Sequence, residues 1–253
     1  MLKLKSFKTQ LILFLAVLAI FLSVKDKDAV FLSALIIAVI SSLITESIIL
    51  FLKKNVFEIT ESSIITGLII GFVLSSNIAW GVIIAASLIA VFSKHLIRFK
   101  NKHIFNPAAF GIFLSCFLFN VSTQWKGAYS WYLLLPAGFY FIYKIRKIEI
   151  ITSCAVVFVC LFAAQALWQK NSIWHIFGYI NYFFIFIMMI EPRTTPVKPA
   201  AKLVFGAGVS VLIFILTQSP GRFDTELLSL LIMNAAILLL ERIPHPAVFI
   251  KNS

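Results

Sequence analysis

Ten apolar runs, separated by short polar segments, follow one another along the chain. Lipid offers no water to backbone groups, and the runs do not alternate apolar and polar residues as barrel strands do, so each run predicts a helix. The runs 60–75 and 106–119 are shorter than the roughly 20 residues of a full crossing, which indicates tilted, broken or re-entrant helices. The runs cover residues 10–24, 29–52, 60–75, 78–97, 106–119, 129–143, 149–168, 173–190, 200–217 and 224–241.

The composition leaves little room for a soluble domain. Apolar residues make up 61% of the 253 residues and charged residues only 13%, about half the charged fraction of soluble domains. We therefore expect one all-α, polytopic membrane domain over residues 1–253, with the lipid bilayer as its surroundings. The net charge of +12 does not indicate a nucleic-acid partner, since the basic residues lie in the gaps between helices.

The basic residues crowd every second gap. With the N-terminus in the cytoplasm, 17 of the 22 Lys and Arg residues (22 − 5) lie on the inner side. This asymmetry predicts ten helices in the cytoplasmic membrane with both termini cytoplasmic. The five outer basic residues are Lys25, Lys27, Lys126, Lys170 and Arg222.

Two short likenesses suggest an internal repeat with halves of about 1–127 and 128–253. The segment around Glu61 is similar to that around Glu191, and Asn106-Pro107-Ala108 is similar to Asn234-Ala235-Ala236, at offsets of 130 and 128 residues (191 − 61, 234 − 106). Five helices per half would invert the second half, and inverted repeats place a binding site between the halves. Chance similarity is the alternative.

The segment from Lys94 to Gly111 carries the first candidate chemistry. Asn106 suits a helix N-cap and Pro107 the first helical position, with Ala108 following. The positive end of this helix, with Lys94, His95 and Lys102 nearby, is suited to an anionic phosphate. The alternative is a simple cap with basic residues that anchor the chain in the membrane.

A second candidate lies in the loop that begins at Glu191 and continues through Arg193, Thr194 and Thr195. Three prolines within eight residues, at 192, 196 and 199, exclude a regular helix here. The hydroxyls and the guanidinium are suited to a ring system or a phosphate, whereas a stiff connector is the alternative. Thr66 and Gly67 belong to the matching polar patch of the first half.

Few other ionisable groups interrupt the apolar runs. Glu46 lies inside the second run, where a charge is costly. It handles an ion or proton, bonds to a neighbouring helix, or simply lies near the membrane interface. The three cysteines form no CxxC pair and the histidines are scattered, so the sequence predicts no metal site. Trp125, Tyr129, Trp131 and Tyr132 are suited either to stacking on a ring or to an interfacial aromatic belt.

At these residues the chain resembles the NqrB/RnfD family, membrane subunits of the sodium-translocating NADH:quinone reductase and of the Rnf electron-transport complex. The matching elements keep the family order over about 190 residues, and the Phe-Asn-Pro-Ala-Ala-Phe-Gly element is the most specific of them. They are Ile65-Thr66-Gly67-Leu68, Lys94-His95, Phe105 to Gly111, Glu191-Pro192-Arg193-Thr194, Phe205-Gly206-Ala207-Gly208 and Met233-Asn234.

The resemblance implies ten helices in a five-plus-five inverted repeat, similar to urea transporters, that hold flavin and pass electrons within a larger complex. Many members carry FMN esterified to a Thr in a Ser-Gly-Ala-Thr motif. Here the corresponding stretch, 120–128, lacks that order, and Thr123 is the nearest candidate. Non-covalent FMN or riboflavin is therefore expected rather than an ester at Thr123. Implied partners are other subunits of the complex, a reductase and a quinone.

Two other functions remain open from the sequence. A small-solute transporter or channel with a urea-transporter-like fold would explain the repeat and the scarcity of redox ligands. A membrane anchor that only docks a reductase partner would explain an apolar chain without recognisable catalytic residues.

Overall fold

The computed structural model describes residues 6–99, 102–128, 130–219, 221 and 223–240. The predicted features at Tyr129, Arg222 and both chain termini lie outside these residues. Helices make up most of the described chain, and two strands of two residues each, β1 (Arg98–Phe99) and β2 (Lys102–His103), form an antiparallel hairpin. Its α-helices are α1 (Phe7–Asp26), α2 (Ala29–Lys54), α3 (Glu61–Val73), α4 (Trp80–Leu96), α5 (Pro107–Phe119), α6 (Trp131–Ile145), α7 (Ile148–Trp168), α8 (Pro199–Thr217) and α9 (Thr225–Leu240).

Nine of the ten apolar runs form the α-helices that the sequence predicts. Of these, α1, α2, α7 and α8 are long and apolar enough to cross a membrane, and α3, α4, α5 and α9 are shorter apolar helices. The 13 residues of α3 and of α5 extend about 20 Å, against the roughly 30 Å of a hydrocarbon core. The two runs expected to be short are therefore short helices, as their length predicts.

The prediction of one continuous helix over 173–190 is wrong. This segment instead forms a 3₁₀ helix, Ile173–Tyr179, and a buried π-helix, Phe184–Met188. The break lies at Asn181, whose Oδ1 accepts a hydrogen bond of 3.0 Å from the backbone N–H of Phe184. An Asn in this role begins a new helix rather than continuing an old one.

The packing of the helices repeats between the two halves. In the first half α2 packs on α4, α4 on α5, and α1 on α3; in the second, α7 packs on α8, α8 on α9, and α6 on the π-helix. The starts of α7, α8 and α9 follow those of α2, α4 and α5 by 119, 119 and 118 residues (148 − 29, 199 − 80, 225 − 107). Two five-segment units of the same architecture therefore form the fold.

This offset corrects the equivalence predicted from the two acidic segments. Glu61 begins α3, whereas Glu191 follows the π-helix, so an offset of 130 residues pairs different positions of the repeat. Asn106 and Asn234 are not equivalent either, because Asn106 caps α5 and Asn234 lies in the middle of α9. The equivalent cap in the second half is Asp224, which accepts a hydrogen bond from the backbone N–H of Leu227.

The second half runs in the opposite direction to the first. Lys25, at the end of α1, donates to the hydroxyl of Tyr132 at the start of α6, and Lys144, at the end of α6, donates to Gln10 near the start of α1. The first helices of the two halves are therefore antiparallel. We call the end of the bundle with the start of α1 the basic face, and the end with Lys25 the opposite face.

An ion pair on the opposite face joins two loops. Lys126 lies 2.9 Å from Asp28 and 3.1 Å from Asp26. The hydrogen bond from Lys126, with that from the backbone N–H of Phe31, holds the pKa of Asp28 below its usual range. The contact fixes the loop before α6 against the turn between α1 and α2.

Aromatic side chains fill the centre of the bundle where the halves meet. Phe72 of α3 stacks on Phe183, with ring centroids 5.0 Å apart, and Phe31 of α2 meets the edge of Phe72. Trp125 contacts Phe183 and Phe184 from the opposite face. All four phenylalanines are fully buried. We call these five residues the central aromatic cluster.

Candidate functional site

Three adjoining clefts open on the basic face, and Arg193 lines all of them. The inner crevice, about 160 Å³, lies between the starts of α1, α3 and α5 and the segment 187–193. The basic cleft, about 890 Å³, lies beside it between α2, α3 and α4. The side groove, about 810 Å³, lies between the hairpin, the loop after Arg193 and the end of α9.

The inner crevice brings together half of the residues that the sequence singled out. Apolar side chains from both halves of the molecule form its walls, among them Leu11, Ile65 and Ile187. The residues of both repeats therefore meet at one site, as the predicted position between the halves requires. The predicted residues that line it are Thr66, Asn106, Pro107, Ala108, Glu191 and Arg193.

A buried asparagine network holds the crevice floor. Asn106 caps α5 by accepting from the backbone N–H of Ala109, and its Nδ2 donates to the carbonyl of Met188. The Oδ1 of Asn234 accepts from the Asn106 backbone N–H at 2.9 Å, and its Nδ2 donates to the Thr194 carbonyl at 2.8 Å. The network joins α5, α9 and the loop after the π-helix.

The loop from Glu191 folds on itself. The Thr194 hydroxyl donates to the Glu191 carboxylate at 3.3 Å, and the Thr195 hydroxyl donates to the Glu191 carbonyl at 2.8 Å. His103 Nε2 lies 3.4 Å from the same carboxylate, without the geometry of a hydrogen bond. Thr194 and Thr195 line the side groove rather than the crevice, and their hydroxyls are satisfied within the loop.

Two cations lie at the mouth of the crevice, and the carboxylates of Glu61 and Glu191 exert only a longer-range attraction on one of them, Lys8. Neither the Lys8 ammonium nor the Arg193 guanidinium makes a hydrogen bond or an ion pair with that part of the chain. Both line the inner crevice and the basic cleft. They lie close to the start of α5, where the helix dipole adds positive potential. The mouth of the crevice is therefore suited to an anionic group.

Lys94 and His95 are already engaged. Glu46 of α2 accepts from Lys94 at 2.7 Å, and its second oxygen lies 3.1 Å from His95 Nε2. Glu46 therefore bonds to a neighbouring helix, one of the alternatives that the sequence left open for this carboxylate. The triad lines the basic cleft, where the charge of Lys94 is balanced before any ligand arrives.

Two of the sequence-predicted residues line none of the three clefts of the basic face. Gly67 faces α2, and a Cβ added there would lie 2.5 Å from the Val39 Cα, so this glycine permits close helix packing. Thr123 lies on the opposite face, where it donates to Asp224 at 2.6 Å. Trp125 Nε1 donates to the same carboxylate at 2.7 Å.

The opposite face carries a cleft of its own, of about 420 Å³. It lies at the start of α9, the repeat equivalent of the start of α5. Asp224 and Glu226 line it, and Asn181 donates to Glu226 at 3.2 Å. Among the described residues no group of three or more His, Cys, Asp or Glu side chains is arranged to hold a metal ion.

Several residues of these clefts carry no local signal in the sequence. Lys8 is one of the basic residues expected only to anchor the chain at the membrane edge, and the sequence assigns no role to His103 or Asp224. His103 and Asp224 acquire their roles from contacts with segments roughly 90 or more residues away, for example the 3.4 Å approach of His103 to Glu191. Lys8 acquires its role from the fold that brings Arg193 to the same crevice. Such contacts depend on the tertiary fold.

Comparison with known proteins agrees with this architecture. The model of the NQR2, RnfD, RnfE family matches residues 3–129 and 123–250, two segments whose starts differ by 120 residues (123 − 3). This shift equals, within a residue or two, the offset between equivalent helices. No curated protein sequence matches the chain. The chain belongs to the NQR2, RnfD, RnfE family, as its motifs indicate, and is a membrane subunit of a multi-subunit electron-transport complex.

Proposed function

We propose that this subunit holds FMN or riboflavin non-covalently at the inner crevice and the basic cleft. It would pass electrons between a donor on the basic face and an acceptor, a quinone or a partner subunit. The observation that carries the proposal is the pair of unpartnered cations, Lys8 and Arg193, at the mouth of an apolar crevice between the repeats. The excess of basic residues supports a cytoplasmic position for this face, and the cytoplasmic membrane as the location of the protein.

The residues present fit such a cofactor. The apolar walls, with Leu11, Ile65 and Ile187, suit the edge of an aromatic ring system, and Lys8 and Arg193 suit the phosphate of FMN. A bound flavin supplies one- or two-electron chemistry, so the protein's part is to position it and set its electrostatic surroundings. The loop around Glu191 is held by hydrogen bonds from the Thr194 and Thr195 hydroxyls, and it keeps Arg193 beside the crevice.

The position of Thr123 supports non-covalent binding. Its hydroxyl donates to Asp224 on the opposite face, far along the bundle from the two unpartnered cations. Among the described residues that line the crevice, the one threonine is Thr66, which lies outside the stretch 120–128, and its hydroxyl donates to the Ser62 carbonyl at 2.9 Å.

The central aromatic cluster favours a redox relay over an open solute channel. The crevice ends near Ile69 and Ile187, and one helical turn further Phe72, Phe183 and Phe184 pack without solvent exposure. The crevice and the cleft on the opposite face are thus separated by packed rings. Electrons cross a short packed barrier by tunnelling, whereas a polar solute needs an open path.

Purification from riboflavin-replete cells tests the proposal. We expect a visible flavin spectrum, with all the flavin released into the supernatant by acid precipitation. Arg193→Gln is expected to lower FMN retention, because it removes one of the two unpartnered cations. Arg146→Gln is the matched control, since Arg146 is exposed and lines none of the described clefts.

Three outcomes would contradict the proposal. Colourless protein from replete cells would remove flavin binding altogether. Flavin that stays in the acid precipitate and is lost in Thr123→Val would move the site to the opposite face as an ester. Equal loss of FMN in Arg193→Gln and Arg146→Gln would show that the crevice cations do not hold the phosphate.

A further inference from the structure

The side groove combines lipid-facing apolar residues with cations at one end. Its apolar wall includes Leu239 of α9, Val197 and Phe99, whose exposed fractions are 65%, 66% and 48%. The groove lies at the basic face, where helices meet the headgroup region of one leaflet. Three separate parts of the chain form it, namely the hairpin, the loop after Arg193 and the end of α9.

Two cations of this groove, Lys102 and Arg193, make no hydrogen bond or ion pair with the described residues. Lys102 is exposed, and its ammonium makes no hydrogen bond or ion pair with the rest of the described chain. Arg193, which also lines the groove, is equally unpartnered there. His103 is 5% exposed, and its Nε2 is buried without a hydrogen bond. The carboxylate of Glu191 lies 3.4 Å from His103 Nε2 and accepts from the Thr194 hydroxyl, but it does not line the groove.

We propose that the side groove binds one acidic phospholipid, with its phosphate between Lys102 and Arg193 and an acyl chain along the end of α9. Charge complementarity selects the headgroup, because basic pockets between helices on the cytoplasmic side suit anionic headgroups. The exposed leucines at 238 and 239 give the acyl chain an apolar surface continuous with the bilayer. The lipid would bridge the hairpin of the first half and α9 of the second half. Neither half forms the complete groove by itself.

This proposal does not depend on flavin, and Lys102 separates the two sites. Lys102 lines the side groove but neither the inner crevice nor the basic cleft. Lys102→Gln is therefore expected to weaken lipid binding while leaving FMN retention unchanged. Lys54→Gln is the matched control for lipid binding, because Lys54 is an exposed lysine of the same face that lines the basic cleft and not the groove.

The experiment uses the full-length protein in nanodiscs with equal amounts of phosphatidylglycerol and phosphatidylcholine, followed by native mass spectrometry of the retained lipids. We expect one retained phosphatidylglycerol per chain. Lys102→Gln should lower its affinity about fivefold, the factor that corresponds to roughly 1 kcal/mol per basic residue at a membrane surface. Lys54→Gln should retain the lipid as the unaltered chain does.

Several results would overturn the proposal. Equal retention of the two lipids, or equal losses in the two lysine variants, would mean that the charge of the groove selects nothing. Complete competition by glycerol 3-phosphate, which has the headgroup chemistry without acyl chains, would indicate a free-anion site. Residues 241–253 follow α9 and are the alternative occupant. If only a chain ending at Leu240 retains phosphatidylglycerol, the groove belongs to that segment.

Discussion

Asn234 joins three segments of the chain through a side chain with no exposed surface. It accepts from the backbone of Asn106 and donates to the carbonyl of Thr194. Both partners lie in apolar surroundings, so each would be left unsatisfied without it. A buried polar group that loses its hydrogen bond costs more than the bond contributes when formed. The contact therefore fixes the start of α5 and the loop of Arg193 relative to each other.

Asn234→Ala is expected to lower the free energy of unfolding by about 2–4 kcal/mol, because it leaves one buried donor and one buried acceptor unpaired. Thermal unfolding in detergent, followed by tryptophan fluorescence, measures the loss. Asn171→Ala is the control, since Asn171 is exposed and its Nδ2 donates to the side chain of the exposed Gln169. Equal midpoints for the two variants would mean that the asparagine network does not support the fold.

The sequence predicts the helices well, because they follow from apolar runs, but it predicts contacts between distant segments poorly. Nine helices follow from apolar runs, because lipid obliges the backbone to satisfy itself. The run 173–190 fails as a helix because hydropathy does not reveal that Asn181 caps a new helix at Phe184. The sequence also predicts that Lys94 is available to bind a phosphate. In the structure, Glu46 of α2 lies 2.7 Å from the Lys94 ammonium. The local sequence pattern correctly predicts that Asn106 is the N-cap of α5.

At the scale of helices, three glycines allow close packing within the repeats. A Cβ at Gly67 would meet the backbone of α2, one at Gly111 the backbone of α4, and one at Gly206 the backbone of α7. Helices in lipid associate by van der Waals contact rather than by the hydrophobic effect, so small residues at the interface matter. All three glycines belong to the motifs that carry the family resemblance, and their role here is packing.

Gly67→Ala is expected to destabilise the protein by about 1–3 kcal/mol, because the added methyl group forces α2 and α3 apart. Gly81→Ala is the matched variant, since a Cβ at this exposed position of α4 meets no atom within 4 Å. That change is expected to be neutral or to stabilise by up to about 1 kcal/mol through helix propensity. Thermal midpoints of both variants test the contrast.

The same pair of variants distinguishes packing from cofactor contact at Gly67. A packing role lowers the thermal midpoint of Gly67→Ala whether or not flavin is present. Unchanged stability with a selective loss of flavin would instead assign this glycine to the cofactor site.

At the scale of the whole molecule, the charge distribution and the inverted repeat support one orientation. The three clefts of the basic face lie at the end of the bundle that carries most of the described cations. The opposite face carries the ion pair of Lys126 with Asp26 and Asp28, and the acidic cleft of Asp224 and Glu226. The two faces therefore present different chemistry although the halves share one architecture.

Single cysteines at Lys54 and Lys170 test this orientation, in a chain whose Cys116, Cys154 and Cys160 are replaced by alanine. Lys54 lies at the end of α2 on the basic face, and Lys170 follows α7 on the opposite face. In intact cells a membrane-impermeant maleimide should label Lys170→Cys alone, and inverted vesicles should label Lys54→Cys alone. This follows because basic residues stay on the cytoplasmic side and α2 and α7 run in opposite senses. Labelling of both cysteines from the same side would contradict the inverted arrangement of the halves.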